Sequence, residues 1–149
     1  MQEGGNLAAN KQIGRLVLEQ MWGEGRLELA DQLYSDHYVD HVGRGPEPVE
    51  VKGIAGIKQA VSSFRHAFPD LSYTVEFQVA EGDLIVSRFS ARGTHRGVFL
   101  GVAPIGRAVT YSGIDINRVR DGRIIESWVN YDALALLQQL GIVNEVAGM

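Results

Sequence analysis

Apolar residues recur every three to four positions through much of the first half of the chain and alternate with polar residues through the second half. The first spacing is typical of amphipathic helices, and Gly23 and Pro69 interrupt it. It predicts helices over residues 7–22, 26–34 and 53–68. A brief alternating run between the second and third helices predicts a short strand over residues 36–42.

The alternating half predicts four longer strands and a closing helix. The strands cover residues 71–80, 83–94, 109–119 and 123–131, and the helix covers residues 132–140. Asp121-Gly122 forms a tight turn between the last two strands, and the Gly- and Pro-rich residues 96–105 predict a loop. Helices followed by a meander of strands predict an α+β domain, in which a curved antiparallel sheet and three N-terminal helices enclose a pocket with one open end.

A second loop is predicted over residues 44–52, which contain Gly45, Pro46 and Pro48. Loops commonly carry function on a rigid scaffold, so we expect this one to lie over the opening of the pocket as a lid. The sequence shows no internal repeat and no linker between domains. A single domain spanning residues 1–149 is therefore expected.

Composition excludes several classes of function. The 149 residues carry a net charge of -4, and the 14 Lys and Arg residues are scattered, which argues against nucleic-acid binding. The sequence has no cysteine, so it offers no thiolate nucleophile and no Cys-ligated metal site. No apolar run approaches the roughly 18 residues of a membrane span, and the polar residues 1–10 do not look like a signal peptide. We therefore expect a cytoplasmic location and no membrane contact.

The third long strand places a carboxylate where charge is least favourable. Alternation puts Tyr111, Asp115 and Asn117 on one face of this strand. An unpaired buried carboxylate is costly and tends to hold a proton, so this face either lines a wet cavity or pairs Asp115 with a cation such as Arg88. In a cavity, Asp115 can exchange a proton with a carbonyl, hydroxyl or epoxide oxygen near neutral pH. We take Asp115 as the first catalytic candidate.

His41, in the predicted short strand, is the expected catalytic partner of Asp115 across the pocket. An imidazole titrates near neutral pH and can hold the complementary proton, although a loop or capping role is the plain alternative. His37 lies four positions earlier, and with Asp40 between them the two histidines raise the question of a metal site. No third ligand stands at a recognisable motif spacing, so no metal is expected.

Several short strings, taken in order, resemble the SnoaL-like polyketide cyclase family of the nuclear transport factor 2-like superfamily. They are Phe68-Pro69-Asp70-Leu71, Glu81-Gly82-Asp83, Gly93-Thr94-His95-Arg96-Gly97, Pro104-Ile105-Gly106-Arg107, Asp121-Gly122-Arg123-Ile124, Glu126-Ser127-Trp128 and Gln138-Gln139-Leu140-Gly141. Each string alone is weak, but their order and spacing are specific for the family. The resemblance runs from about Ile13 to Gly141 and implies a cone-shaped domain with that core.

The resemblance also implies a range of activities without cofactor or metal. The family includes aldol cyclases of polyketides, epoxide-opening and ether-forming cyclases, and hydroxylases, and fold alone does not choose among them. In its aldol cyclases the general acid/base is an aspartate on the last strand, which corresponds to Val129 here. The family's pocket histidine corresponds to Asp115, and its pocket asparagine corresponds to His41. These differences argue against the same aldol chemistry.

Aromatic and polar side chains supply the candidates for substrate contact. A flat polycyclic or polyene substrate needs aromatic surface, although aromatic residues at helix or strand spacing can equally belong to the core. Arg88 could bind an oxyanion or pair with an acidic neighbour, and His95 could anchor the loop that follows it. The substrate-binding candidates are Trp22, Tyr38, Phe64, Phe68, Arg88, His95, Ser127 and Val129.

Three functions fit the sequence. The first is a cofactor-independent cyclase or isomerase that acts on a hydrophobic, oxygenated, polyketide-like metabolite through Asp115 and His41. The second is a non-catalytic domain that binds a small molecule, and the third is a scaffold whose pocket is filled. A homodimer is expected, because the sheet face away from the helices carries apolar residues. These are Ile114, Ile116, Ile124 and Trp128.

Overall fold

The computed structural model describes residues 3–42 and 49–144. The helices are α1 (Glu3–Leu16), which continues into the π-helical Val17–Trp22, α2 (Glu28–Leu33), α3 (Gly53–Ala67) and α4 (Ala133–Gln139). The strands are β1 (Tyr34–Val42), β2 (Val49–Lys52), β3 (Ser72–Glu81), β4 (Leu84–Thr94), β5 (Ala108–Arg120) and β6 (Arg123–Tyr131). Each predicted helix and strand is confirmed to within a few residues. None of the helices in the described ranges is long and apolar enough to cross a membrane.

The strands form one six-stranded sheet in the order β2-β1-β6-β5-β4-β3. β1 and β6 pair in parallel, and the other neighbouring strands pair antiparallel. The predicted α+β architecture is confirmed, but the sheet is mixed rather than wholly antiparallel. The reason is that the predicted first strand lies next to the last strand of the meander and runs parallel to it. These two segments are far apart in the sequence, so their pairing leaves no local pattern.

Part of the predicted second loop is instead a strand. Residues 49–52 form β2, which pairs with β1 from Val39 opposite Lys52 to Val42 opposite Val49. The segment Val-Glu-Val-Lys has the period-two pattern of a strand, and the free edge of β1 supplies its hydrogen-bonding partners. Residues 43–48, with the glycine and prolines on which the lid prediction rests, lie outside the described residues.

Two groups of buried apolar side chains fill the space between the helices and the sheet. One group centres on Phe68, Phe89 and Leu136, and the other on Met21, Ile57 and Ile85. Full burial of one such side chain contributes roughly 1.5–3 kcal/mol to folding, so these groups hold the helices against the sheet. Trp22 packs against both groups. A cavity remains where the two groups meet.

A β-bulge in β6 changes which of its residues face inward. Arg118 and Val119 are neighbours on β5, yet they pair with Glu126 and Ile124, so Ile125 is an extra residue in β6. Ile124 therefore points inward and is fully buried in the core. The prediction that Ile124 belongs to the outer apolar face of the sheet is wrong, because strict alternation does not hold across a bulge.

Candidate active site

The cavity between α3 and the sheet has a volume of about 540 Å³. Its exposed lining residues mark the mouth, and they are Glu50 and Lys52 of β2, Gln59 and Ser63 of α3, and Val98 and Leu100 of the β4–β5 loop. Aromatic side chains supply much of the wall, and they are Trp22, Tyr34, Tyr38, Phe64, Tyr73, Phe89, Phe99, Tyr111 and Tyr131. An apolar, aromatic wall with few polar groups is typical of a site for a hydrophobic small molecule.

Asp115 lies in this wall, in the middle of β5. Its neighbours across the sheet are Ser87 of β4 and Val129 of β6, and it is 8% exposed. Burial, with a further contribution from the charge of Asp40, raises the pKa of Asp115 to about 7, while a hydrogen bond from Asn117 opposes the increase. The Asn117 Nδ2 atom lies 3.4 Å from Asp115 Oδ2 and donates a shorter bond of 2.8 Å to Ser127 Oγ. With this pKa, both the protonated and the ionised form of Asp115 are populated near neutral pH.

A second carboxyl group, that of Asp40, faces the same cavity from β1. Asp40 is 7% exposed, and its Oδ1 atom is buried without a hydrogen-bond partner among the described residues. Burial raises the pKa of Asp40 to about 6, and the hydroxyl of Tyr38 and the charge of His41 oppose the increase. The sequence interpretation considered Asp40 only for a metal site. The alternation of Tyr38, Asp40 and Val42 was the signal that could have placed it in the pocket.

His41 lies on the other face of β1, outside the cavity. Its Nε2 atom is 2.8 Å from Glu126 Oε2, its Nδ1 atom is 3.4 Å from Glu50 Oε2, and its ring stacks on Trp128 at 5.4 Å. The prediction that His41 faces Asp115 across the pocket is therefore wrong. Adjacent residues of a strand point to opposite faces, and it is Asp40 that points inward.

Four of the eight substrate-binding candidates line the cavity. They are Trp22, Tyr38, Phe64 and Val129. Val129 stands on β6 directly opposite Asp115, so the position that carries the family's catalytic aspartate is an apolar part of the wall here. Trp22, Tyr38 and Phe64 were selected as aromatic surface, and Val129 as the position that the resemblance aligns with the family's aspartate.

The other four candidates do not line the cavity. Arg88 is opposite Ile114 on the outer face of the sheet. Its neighbour Ser87 points inward, so alternation places Arg88 on the face of the sheet opposite to that of Asp115. Ser127 faces inward but is buried against Asn117. Phe68 and His95 are both fully buried, and their rings lie 5.7 Å apart in the core behind Phe64.

Four tyrosines in the cavity wall were not among the sequence candidates: Tyr34, Tyr73, Tyr111 and Tyr131. The hydroxyl oxygens of Tyr73 and Tyr111 lie 2.8 Å apart in a hydrogen bond. Burial raises the pKa of both hydroxyl groups well above the usual value, so both stay protonated. One of them donates to the other, and the second keeps its hydrogen for a substrate oxygen. Their inward positions in β3 and β5 are the signal that could have identified these two.

The histidines of β1 raise the question of whether the protein has a metal site. No group of three His, Asp or Glu side chains within residues 3–42 and 49–144 is arranged to hold a metal ion. His41 instead directs both ring nitrogens at glutamates on neighbouring strands, as described above.

The family model for SnoaL-like polyketide cyclases matches residues 13–140. No curated protein matches the sequence closely enough to count as a relative. Among solved structures, IdmH from Streptomyces antibioticus, a proposed polyketide cyclase, is similar with 32% identity and a TM-score of 0.72. The match covers 90% of this chain and 97% of IdmH.

Two further solved structures show the same fold. AclR from Streptomyces galilaeus, a proposed hydroxylase, matches with 26% identity and a TM-score of 0.80, over 95% of this chain and 87% of AclR. A SnoaL-like protein from Jannaschia sp. CCS1 matches with 22% identity and a TM-score of 0.84, over 96% of this chain and 99% of that one. At this identity the last likeness concerns the fold alone.

Proposed function

Because the chain belongs to the SnoaL-like polyketide cyclase family, we propose that it is a cofactor-independent enzyme that cyclises or isomerises a hydrophobic, oxygenated, polyketide-like metabolite by general acid/base catalysis. The observation that carries this proposal is the carboxyl group of Asp115 in the aromatic wall of the cavity. A carboxyl group whose pKa is raised to about 7 is populated in both forms near neutral pH, so it can give or accept a proton during turnover.

The cavity supports the other requirements of such a reaction. Its aromatic side chains offer flat surfaces on which a polycyclic or folded polyene chain can stack, so that reacting groups are held close together. The tyrosine hydroxyls supply hydrogen bonds for substrate oxygens. Lys52, at the mouth, is the one Lys or Arg among the described lining residues, so the interior favours a neutral substrate over an anionic one.

The test is proton exchange on a neutral bicyclic ketone, 2-tetralone, in D₂O. Removal of a C1 proton by a base and protonation of the carbonyl oxygen by an acid give the enol, and the reverse step introduces deuterium that NMR spectroscopy detects. We expect the protein to accelerate the exchange over buffer, and Asp115→Asn to lose at least about tenfold of that rate with unchanged ketone affinity. Asp36→Asn, an exposed aspartate on β1, serves as the control.

Two results would contradict the proposal. If the ketone binds in the cavity but wild-type protein exchanges its protons no faster than buffer, the domain is a binding domain. If Asp115→Asn exchanges at the wild-type rate, Asp115 is a static hydrogen-bond partner.

A further inference from the structure

We propose that Asp40 is the second proton-transfer residue of the cavity and acts together with Asp115, the two carboxyl groups standing on either side of the reacting atoms. This inference rests on the proposed function and adds a residue to it. It also narrows the substrate class to neutral molecules that need a proton removed at one atom and a proton delivered to a nearby oxygen.

The sheet places the two carboxyl groups on either side of β6. Asp40 on β1 is opposite Ser127, and Asp115 on β5 is opposite Val129, two positions further along the same face of β6. Strands are about 4.8 Å apart, so the backbones that carry the two aspartates are separated by about two strand spacings. Both side chains line one cavity, and this separation leaves room for substrate atoms between them.

Neither carboxyl group is neutralised by a cation. No Lys or Arg within the described residues forms an ion pair with Asp40 or Asp115, and His41 approaches Asp40 only from the opposite face of β1. Two buried carboxylates in one cavity disfavour each other's ionisation, so the pair holds one proton over a range of pH. Asp40 is on the strand that pairs with β2 at the mouth, whereas Asp115 is in the middle of the sheet, so Asp40 loses its proton first and Asp115 keeps its own. Their pKa values, raised to about 6 and about 7, agree with this order.

This ordering assigns the roles. Ionised Asp40 removes a proton from a carbon next to a carbonyl group, the electron pair of the broken C–H bond forms the C=C bond of an enol, and the carbonyl oxygen takes the proton of Asp115. Asp40 is then protonated and Asp115 ionised. In the second half of the reaction Asp115 takes back the enol O–H proton and the C=O bond forms again. The electron pair of the C=C bond then either takes the proton of Asp40 at the original or a conjugated carbon, which gives an isomer, or attacks a carbonyl or epoxide carbon of the same molecule, whose C–O bond opens and whose oxygen takes the proton of Asp40, which closes a ring. Both groups are restored without any oxidant, reductant or co-reactant. A neutral ketone or aldehyde with acidic α-hydrogens meets these requirements.

Other titratable groups around Asp40 do not take over its role. Tyr34 and Tyr38 face the same cavity, but burial raises the pKa of each well above the usual value. Glu50 and Lys52 stand at the exposed mouth on β2. His41 and Glu126 contact each other on the outer face of the sheet. Among the described residues, Asp115 is thus the other buried carboxyl group of the inner wall.

A titration of ¹³C-labelled aspartate carboxyl groups by NMR spectroscopy tests the pairing without a substrate. In Asp40→Asn the titration midpoint of Asp115 should fall, because the charge that opposes its ionisation is gone. In Asp115→Asn the midpoint of Asp40 should change little, because Asp115 is still neutral while Asp40 titrates. Asp36→Asn should leave both midpoints in place. An unchanged midpoint of Asp115 in Asp40→Asn would overturn the pairing.

The 2-tetralone exchange tests the catalytic role. The exchange rate of the wild type should rise near pH 6, where Asp40 ionises, and fall near pH 7, where Asp115 loses its proton. We expect Asp40→Asn to lose at least about tenfold of the rate and to lose the rise near pH 6. We expect Asp115→Asn to lose the fall near pH 7. Asp40→Ser serves as a second variant, with circular dichroism and ketone affinity as folding controls. If Asp40→Asn keeps the wild-type rate and pH profile while Asp115→Asn loses the rate, this inference fails and the proposed function stands. If wild-type protein does not catalyse exchange, the proposed function itself fails.

Discussion

Single residues set the pH dependence of stability, and Asp115 is the clearest case. Its pKa is raised to about 7 in the folded state, against an ordinary value of 3.8. The folded protein therefore binds a proton that the unfolded chain releases between about pH 4 and pH 7. The stabilisation from this group is complete below about pH 4 and is lost as the pH rises through 7.

We predict that Asp115→Asn removes this dependence. Relative to the wild type, the free energy of unfolding of the variant should increase by about 2–3 kcal/mol between pH 5 and pH 8, as the two pKa values imply. Urea unfolding at both pH values, followed by tryptophan fluorescence, measures it, with Asp36→Asn as the matched control for loss of one carboxylate. A variant that follows the wild type at both pH values would show that Asp115 is not desolvated.

The same scale shows where sequence analysis succeeds and fails. Alternation along β5 correctly identified the inward face that carries Asp115, because β5 is long and regular. On β1 the chemistry of imidazole and the resemblance to the family favoured His41 over Asp40, and alternation was not used to decide which of the two points inward. The pairing of β1 with β6 also shifts register between Tyr34 and Val39. The local alternation of Tyr38, Asp40 and Val42 shows that these residues share a face, whereas the pairing partner of β1 is a distant strand that a local run of residues does not reveal.

Among the secondary structure elements, β5 contains a glycine where it packs closely against its two neighbouring strands. A Cβ atom added to Gly113 would lie 2.6 Å from Phe89 Cζ and 2.7 Å from the backbone oxygen of Asn130. The aromatic ring and the backbone of β6 can both approach β5 closely only because this position has no side chain. Phe89 also lines the cavity, so this close approach contributes to the shape of the site.

We predict that Gly113→Ala destabilises the fold by about 1–3 kcal/mol, the usual cost of overpacking, since either β6 or Phe89 must move. Chemical denaturation measures this loss, and binding of 2-tetralone reports the altered cavity. Ser112→Ala, at the neighbouring position on the other face, should change stability by less than about 0.5 kcal/mol. Equal stability of Gly113→Ala and wild type would mean that the strands separate there at no cost.

Element boundaries and the meander from β3 to β6 were largely predictable, whereas the pairing partners of β1 and β2 were not. Helical spacing and Pro69 located α3, and alternating runs located β3 to β6. The strand β2 was assigned to a loop because only four residues form it and two prolines precede it closely. The bulge at Ile125 was also missed, because an extra residue in one strand is visible only when its partner is known.

For the molecule as a whole, the outer face of the sheet carries a patch of apolar side chains. Val79, Val86, Ile116 and Trp128 occupy successive register positions on β3, β4, β5 and β6, next to Phe77 and Ile114. Phe77, Val79 and Ile114 are 60%, 56% and 42% exposed. We propose that this surface forms a homodimer interface, as expected from the sequence apart from Ile124.

We predict that the protein has about twice the mass of a single 16.3 kDa chain in small-angle scattering at micromolar concentration. Replacing Phe77 and Ile114 by Glu places charges on the surface and should yield single chains. Val98→Glu, an exposed apolar residue at the cavity mouth, is the control and should leave the mass unchanged. A single-chain mass for the wild type would contradict the interface.

The parallel pairing of β1 with β6 has a consequence for how the protein is made. As the chain leaves the ribosome, β1 emerges before β3, β4 and β5, but β6, the strand beside which it lies, emerges after them. The wall that carries Asp40 therefore cannot form until β6 has been translated, whereas β3 to β5 can pair with one another as they emerge. Closure of so long a loop is expected to come late and slowly in folding. The cavity with both carboxyl groups is then among the last features of the molecule to be assembled.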